Sequence, residues 1–227
     1  MKKFVVEANR LEKARKIKTV LEDFLGEPIK NKRILDIGTG NGEIADFFSI
    51  KNKVNSTDVL DQRKNKHSGT IFRLVKSERL PFKDGSFDVV ISNHIIEHVK
   101  NQKLHLSEIK RVLKQKGVCY LATPNRLFPW ETHYNVWFIH YLPKRIFHKI
   151  LKHIKKYKED INLATYPELK REMSKFFEYF EYTHKVIKEN KKYHVKIPLL
   201  NRLPLRLLKM LNFISQTNIF ILKKREE

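Results

Sequence analysis

A doubly wound, mostly parallel α/β sheet is the fold class this sequence predicts, and three observations carry it. Apolar runs of strand length alternate with stretches of helical periodicity along most of the chain. One of those runs, Arg33 to Ile37, breaks directly into a glycine-rich turn, Gly38-Thr39-Gly40-Asn41-Gly42, that opens a helix. The chain's 227 residues, 41% of them hydrophobic, suffice to bury the core of one such domain.

The elements follow in order. Leu11, Ile17, Val20, Leu21, Phe24 and Leu25 keep helical spacing, with Asn9 as cap and Gly26-Glu27-Pro28 as stop, so residues 1–29 form an N-terminal helix lying on the sheet. Residues 30–125 form the core. Within it the pattern predicts strand Arg33 to Ile37, helix Gly42 to Ile50, strands Lys53 to Asp58, Thr70 to Leu74 and Phe87 to Ser92, helix Gln102 to Leu113 and strand Val118 to Thr123. The segment Val59 to Gly69 is short and polar, which truncates the helix expected there. Residues 126–164 form an aromatic insertion after strand five, holding both tryptophans, and read as a helical lid or hairpin. Residues 165–227 complete the single domain with helix Pro167 to Phe177, strand Tyr182 to Lys188, an amphipathic stretch over 197–214 and a last strand, Thr217 to Lys223.

The spacing of the glycine turn narrows its ligand. A dinucleotide turn, G-x-G-x-x-G, would place its third glycine at position 43, where this chain has Glu43; here the third glycine is Gly42. An acidic residue followed by x-G-x-G-x-G resembles motif I of the class I S-adenosylmethionine-dependent methyltransferases. Asp58 ends the second strand about 20 residues after Gly38, where an open sheet places a carboxylate for ribose hydroxyls. Leu80-Pro81-Phe82 and Asp84-Gly85-Ser86-Phe87-Asp88-Val89-Val90, continued by His94-Ile95-Ile96-Glu97-His98-Val99, are similar to the same family. So are Glu108 to Gly117 and the strand end Ala122-Thr123-Pro124-Asn125.

This resemblance covers residues 30–125 and implies a seven-stranded Rossmann-like sheet with S-adenosylmethionine as cofactor and methyl transfer as activity. It assigns Asp36, Gly38, Thr39, Gly40, Asn41 and Gly42, then Asp58 and Val59, then Ser77 and Glu78, and finally Asn93 to the cofactor. One departure stands out. Relatives read G-D-A-E before L-P-F, whereas this chain has Val75-Lys76-Ser77-Glu78-Arg79, and Lys76 cannot accept a hydrogen bond from an adenine amino group. Backbone groups or Glu78 would have to take that part.

Methyl transfer from a sulfonium is an in-line displacement, so the protein must align donor and acceptor and exclude water. A hydroxyl acceptor also needs a base, for which His94 is the first candidate and His133 the second. The insertion follows the carboxyl end of strand five, where such sheets bind ligands, and Asn125, Glu131, Tyr134, Trp137, His140 and Tyr141 are the candidate acceptor contacts. The competing reading packs these aromatics as core. If His94, Glu97 and His98 share a helix face, they also spell a zinc-protease-like run. Because the run sits inside the longer family match, no metal is expected, and Glu97 and His98 are expected to be hydrogen-bonded where sheet meets helix.

Partners follow from charge and from what is missing. Lys and Arg number 47 against 25 Asp and Glu, giving +22, spread along the chain rather than gathered in a tail. A small-molecule, lipid or glycan acceptor methylated on oxygen is the favoured substrate, with an anionic membrane surface as a partner of the 197–214 stretch. RNA is the second choice. Against nucleic acid, Ser92-Asn93-His94-Ile95 is not the N-P-P-Y or D-P-P-Y of base amino methylation, and the single cysteine, Cys119, lies mid-strand. A noncatalytic cofactor-binding module is the third reading. One cysteine and the short apolar stretch at Met1 to Glu7 lead to the expectation of a cytoplasmic protein, peripheral to the membrane if that stretch binds lipid.

Overall fold

The computed structural model describes residues 2–225 except 67, 68, 132, 156–160 and 198, with side chains from Arg10 onward other than that of residue 144. Helix α1 (Lys2–Leu25) leads into β1 (Arg33–Ile37), α2 (Glu43–Ser49), β2 (Lys53–Asp58), β3 (Thr70–Leu74), β4 (Phe87–Asn93), α3 (Gln102–Val112) and β5 (Leu113–Pro124). A hairpin, β6 (Trp130–Glu131) and β7 (Val136–Trp137), and helix α4 (Lys144–His153) follow. The chain ends through α5 (Tyr166–Ser174), β8 (Phe177–Glu181), α6 (Thr183–Lys188), α7 (Leu205–Leu211) and β9 (Thr217–Lys224).

The main sheet has seven strands in the order β3-β2-β1-β4-β5-β9-β8. All neighbours are parallel except where β9 runs between β5 and β8, antiparallel to both. The order reverses between β1 and β4, and at such a switch point the strand ends leave a crevice. Alternating side chains divide the core between the two faces. Along β5, Val118, Tyr120 and Ala122 join the side covered by α1 and α2, while Cys119 and Leu121 join the side covered by α3 and α5. A third cluster, Tyr134, Ile139, Phe147, Leu151 and Ile161, is internal to the insertion.

Several expectations change. Helix α1 runs back to Lys2, so Asn9 lies inside it and is no cap; no glycine or proline interrupts residues 2–25. The predicted strand Tyr182 to Lys188 is helix α6, and the strand is Phe177–Glu181 instead. The ladder to β9 stops there because Thr183 Oγ1 accepts the Ile219 amide at 2.9 Å. Helix α5 starts earlier than predicted, on a capping box between Thr165 and Glu168, and ends at Ser174. The insertion contains a β-hairpin as well as α4, so it is not wholly helical. Residues 94–98 form a turn rather than a helix, which removes the helix face that a protease-like zinc run requires. No helix forms among the described residues of 59–69, matching the expected truncation.

Leu121 is fully buried at the centre of this sheet, whereas Leu207 on α7 is 39% exposed. Leu121→Ala is therefore expected to cost about 3 kcal/mol in denaturant unfolding, and Leu207→Ala less than about 0.5. Equal unfolding midpoints for the two variants would contradict this packing.

Candidate active site

The glycine turn joins β1 to α2 at the carboxyl ends of β1 and β2. Gly38 has φ +68°, and a Cβ there would stand 1.9 Å from Ile95 Cδ1, so a side chain would strain the backbone and push Ile95 aside. The amides of Gly38 and Thr39 both donate to Thr57 O, at 2.8 and 3.0 Å. The next amide, from Gly40, donates to Asp58 Oδ2 at 2.7 Å, while Asp58 Oδ1 accepts from Val59 N at 2.7 Å. These bonds set the carboxylate at the mouth of the turn, half-buried, with lone pairs remaining for ligand hydroxyls. A Cβ on Gly40 would meet nothing within 4 Å, so the backbone is open to close approach by a ligand there.

Asp36 sits one layer below, 3% exposed, and accepts from Thr39 Oγ1 at 2.7 Å. Burial pushes its carboxyl up to about 7, against the opposing effects of the Thr39 bond and the Arg10 charge. Two features of this region were not expected. Lys64 N donates to Asn41 O at 3.0 Å, and the Arg63 side chain, paired with Asp61, packs against Gly42. The segment after β2 thus folds back over the glycine turn, a path set by loop geometry rather than by periodicity.

Ser77 and Glu78 follow β3, and Val75 N donates to Asp58 O at 2.9 Å, which brings that loop beside β2. Ser77 is exposed. Glu78 Oε1 accepts from the amides of Lys100 and Asn101 at 2.9 and 3.1 Å, so its carboxylate braces the start of α3. Asn93 ends β4, half-buried and paired in register with Ala122 of β5.

His94 follows it with φ 60°, a conformation that costs energy for a side-chain-bearing residue and turns the chain away from the strand direction. Its Nδ1 is 3.3 Å from Oε1 of the fully buried Glu97, and Glu97 Oε2 accepts from Thr123 Oγ1 at 2.9 Å. Burial acts to raise the Glu97 carboxyl, but His94 and the positive potential of His98 outweigh it and hold the group below the usual range. Thr123 is the partner that motif reading missed; the β4–β5 register, in which Asn93 pairs with Ala122, points to it. Glu97 is bonded where sheet meets turn, as expected.

The hairpin of the insertion lies against this turn. Glu131, 2% exposed, accepts from His133 Nδ1 and from Tyr134 N, each at 2.7 Å. Tyr134 packs on Phe147, and His140 Nε2 donates to Arg126 O at 2.8 Å. Asn125 Nδ2 donates to Phe213 O at 2.8 Å and so ties β5 to the segment after α7. Trp137 is 60% exposed and stacked edge-on with Trp130, and Tyr141, 42% exposed, donates to Leu127 O. The structure thus divides the candidate acceptor contacts into an internal set, Asn125, Glu131, Tyr134 and His140, and an exposed pair, Trp137 and Tyr141. Elsewhere in the insertion, Arg126, His140, Phe147 and Asn162 line a cavity of about 190 Å³. Glu97, His98 and His133 are brought close enough to share an ion, with one ligand atom from each lying within 4.8 Å of the others.

An open α/β sheet with a glycine turn facing a carboxylate at its switch point defines a nucleotide-cofactor-binding class of protein. A family model described as a methyltransferase domain matches residues 9–176, so the chain belongs to that family, whose cofactor is S-adenosylmethionine. The glycine cradle and Asp58 fit that cofactor. A ubiquinone biosynthesis O-methyltransferase of Pelagibacter ubique is 28% identical over 108 residues, covering 44% of this chain and 45% of that one. A ubiquinone/menaquinone biosynthesis C-methyltransferase of Geobacter is 31% identical over 132 residues, covering 49% and 54%. The chain spans about half the length of the curated relatives it matches. A Haemonchus contortus phosphoethanolamine N-methyltransferase, solved with S-adenosylhomocysteine, superposes with TM-score 0.57 at 19% identity, over 91% of this chain and 51% of that one.

Asp36 links the site to pH. Its folded pKa of about 7 stands above an unfolded carboxyl value of about 3.9. Its contribution to stability is therefore complete below about pH 4 and lost as pH rises through about 7. Between pH 5 and 8 the wild-type Tm is expected to fall more than that of Asp36→Asn; parallel curves in calorimetry would contradict the burial of that carboxyl.

Proposed function

We propose that the protein transfers a methyl group from S-adenosylmethionine to a hydroxyl oxygen of a small-molecule, lipid or glycan acceptor. The observation that carries this reading is the His94–Glu97–Thr123 arrangement at the end of β4. The bound cofactor would supply an electrophilic methyl group. The Gly38–Gly40 backbone and Asp58 would hold and orient it, with Asp58 on the ribose hydroxyls. His94 would take the proton of the acceptor hydroxyl at a ring nitrogen, while the Glu97 carboxylate orients the imidazole and stabilises its cationic form. The insertion would exclude water over the acceptor.

The surroundings support an amphiphilic acceptor. Trp137, Phe138, Leu142 and Ile146 are exposed apolar residues of the insertion, accompanied by Arg145 and Lys149. Leu205, Leu207, Met210 and Phe213 are exposed beside Arg206 and Lys209, and Asn125 bridges the two regions through Phe213. Apolar side chains among cations suit an anionic membrane surface, which is the partner we assign to this rim. No helix among the described residues is long and apolar enough to cross a membrane. RNA is the second reading, favoured by the net charge of +22. Cys119 offers no nucleophile for base methylation, since it is buried and burial pushes its thiol up.

The test is incubation of the chain with radiolabelled S-adenosylmethionine and cell extract, followed by separation into lipid, small-molecule, protein and RNA fractions. Label is expected in the lipid or small-molecule fraction. His94→Ala should lower the rate by about 100-fold with cofactor binding retained, and Asp58→Ala should weaken cofactor binding by about tenfold or more. Label in RNA would overturn the acceptor, and an undiminished rate in His94→Ala would overturn the base.

A further inference from the structure

A cavity of about 540 Å³ lies apart from the glycine turn and the His94 turn, on the face of the sheet covered by α1 and α6. The path of the chain after β8 creates it. Because Thr183 Oγ1 takes the Ile219 amide, the chain leaves the sheet there and α6 stands over β9. The segment that follows is tied back to α6: Val195 N donates to Asn190 O at 2.8 Å, Asn190 Nδ2 to Ile197 O at 3.0 Å and Lys188 Nζ to Leu203 O at 3.0 Å. Ile187 of α6, Ile197 of that segment, Leu208 and Leu211 of α7 and Ile219 of β9 line the enclosed space. Its volume is that of a small-molecule site. Water finds few partners against such walls, and left dry they lose packing contacts.

The charged groups of the cavity have one sign. Among the described residues that line it, only Lys16 and Lys196 are charged. Lys196 is exposed at the rim, with Glu12 4.0 Å away. Lys16, half-buried on α1, has no hydrogen bond or ion pair among the described residues, and burial together with the Lys13 charge lowers its ammonium to about 8. An ammonium without a counter-ion beside an apolar space is completed by an anion, and lysine takes a carboxylate or phosphate as a point charge.

We infer that this cavity holds the hydrocarbon chain of an anionic single-chain amphiphile, whose carboxylate or phosphate head pairs with Lys16. The chain matches the walls and the head matches the unpaired cation. Helix α7 connects the cavity to a source of such ligands: Leu208 is fully buried on the cavity side, whereas Leu207 and Met210 are 39% and 73% exposed and belong to the rim assigned to a membrane surface. Phe128 and Gln216, whose carbonyl accepts the Asn125 amide at 3.2 Å, put one end of the cavity at the carboxyl end of β5, the neighbour of β4. The cavity and its ligand stand on this geometry, while the identity of that ligand as the methyl acceptor rests on the methyl-transfer reading.

The experiment titrates the full chain by calorimetry with dodecanoate, dodecyl phosphate, dodecanol and dodecyltrimethylammonium, each below its micelle-forming concentration. One anion per chain is expected, bound at least tenfold tighter than the alcohol or the cation, and the tighter of the two anions identifies the head group. Octanoate should bind about 100-fold more weakly than dodecanoate, for the four methylenes it lacks. Lys16→Met should weaken anion binding by about tenfold and leave dodecanol unchanged, whereas Lys51→Met, in the exposed turn between α2 and β2, should alter neither. Ile187→Trp, which fills the cavity, should abolish binding of every chain. Lys16 is half-buried, so its variant tests the head group even if Ile187→Trp fails to fold. Equal affinity for anion and cation, several anions per chain, or wild-type dodecanoate binding by Lys16→Met would overturn the inference. Binding of S-adenosylmethionine, measured on the same samples, reports separately on the methyl-transfer reading.

Discussion

A methyl group at position 38 would lie 1.9 Å from Ile95 Cδ1, and much of the site follows from the hydrogen that stands there instead. The absence of a side chain lets the turn after β4 close over the turn after β1. Because Ile95 occupies that space, its neighbours are placed as well: Asn93 and His94 before it, Glu97 and His98 after it. The same glycine takes φ +68°, which aims the Gly38 and Thr39 amides at Thr57 O and the Gly40 amide at Asp58. The glycine turn and the His94 turn are thus one packed unit, in which a shift of either is felt by the other. An alanine at position 38 would strain the backbone and displace Ile95 together, whereas at Gly40, with open space around its Cβ position, only the φ of +55° would be strained.

How far the sequence revealed this depends on which physical signal each part carries. Strand β1 matches its apolar run because a central parallel strand is buried on both faces, while β2 and the edge strand β3 were marked by their β-branched residues and the turns that bracket them. The Asp58 position was legible from spacing, and so was the glycine turn. The region from Phe177 to Lys188 was not. Phe177, Tyr179, Phe180, Tyr182, Val186 and Ile187 satisfy neither period cleanly, and what ends β8 is a hydrogen bond from Ile219 N to Thr183, residues far apart in sequence. The insertion was illegible for a similar reason. Glu131 spends its carboxylate on residues two and three positions away, and His140 on a carbonyl 14 positions back. Such contacts depend on the path of the loop, which residue types do not encode. The convergence of His133 on His98 is likewise a product of where the hairpin folds.

The buried carboxylates of the site show how environment alone separates their roles. Asp36, Glu97 and Glu131 are 3%, 0% and 2% exposed, so burial raises all three. Asp36 rises to about 7 because burial outweighs the Thr39 hydroxyl bond and the Arg10 charge, with Asp58 and Asp46 adding to the rise. Glu97 and Glu131 each face an imidazole, which more than cancels burial and holds both below the usual range. The difference fits their positions. Asp36 lies under the glycine turn, bonded to the Thr39 hydroxyl, where burial favours its protonated form. A charged Glu97 suits the base role proposed for His94, since an uncharged one would not stabilise an imidazolium. A base that accepts a proton inside a closed site needs a fixed anion behind it, because no water can reorganise to solvate the new charge. In the role proposed for His94 that anion is Glu97, held from the opposite side by Thr123 on the neighbouring strand.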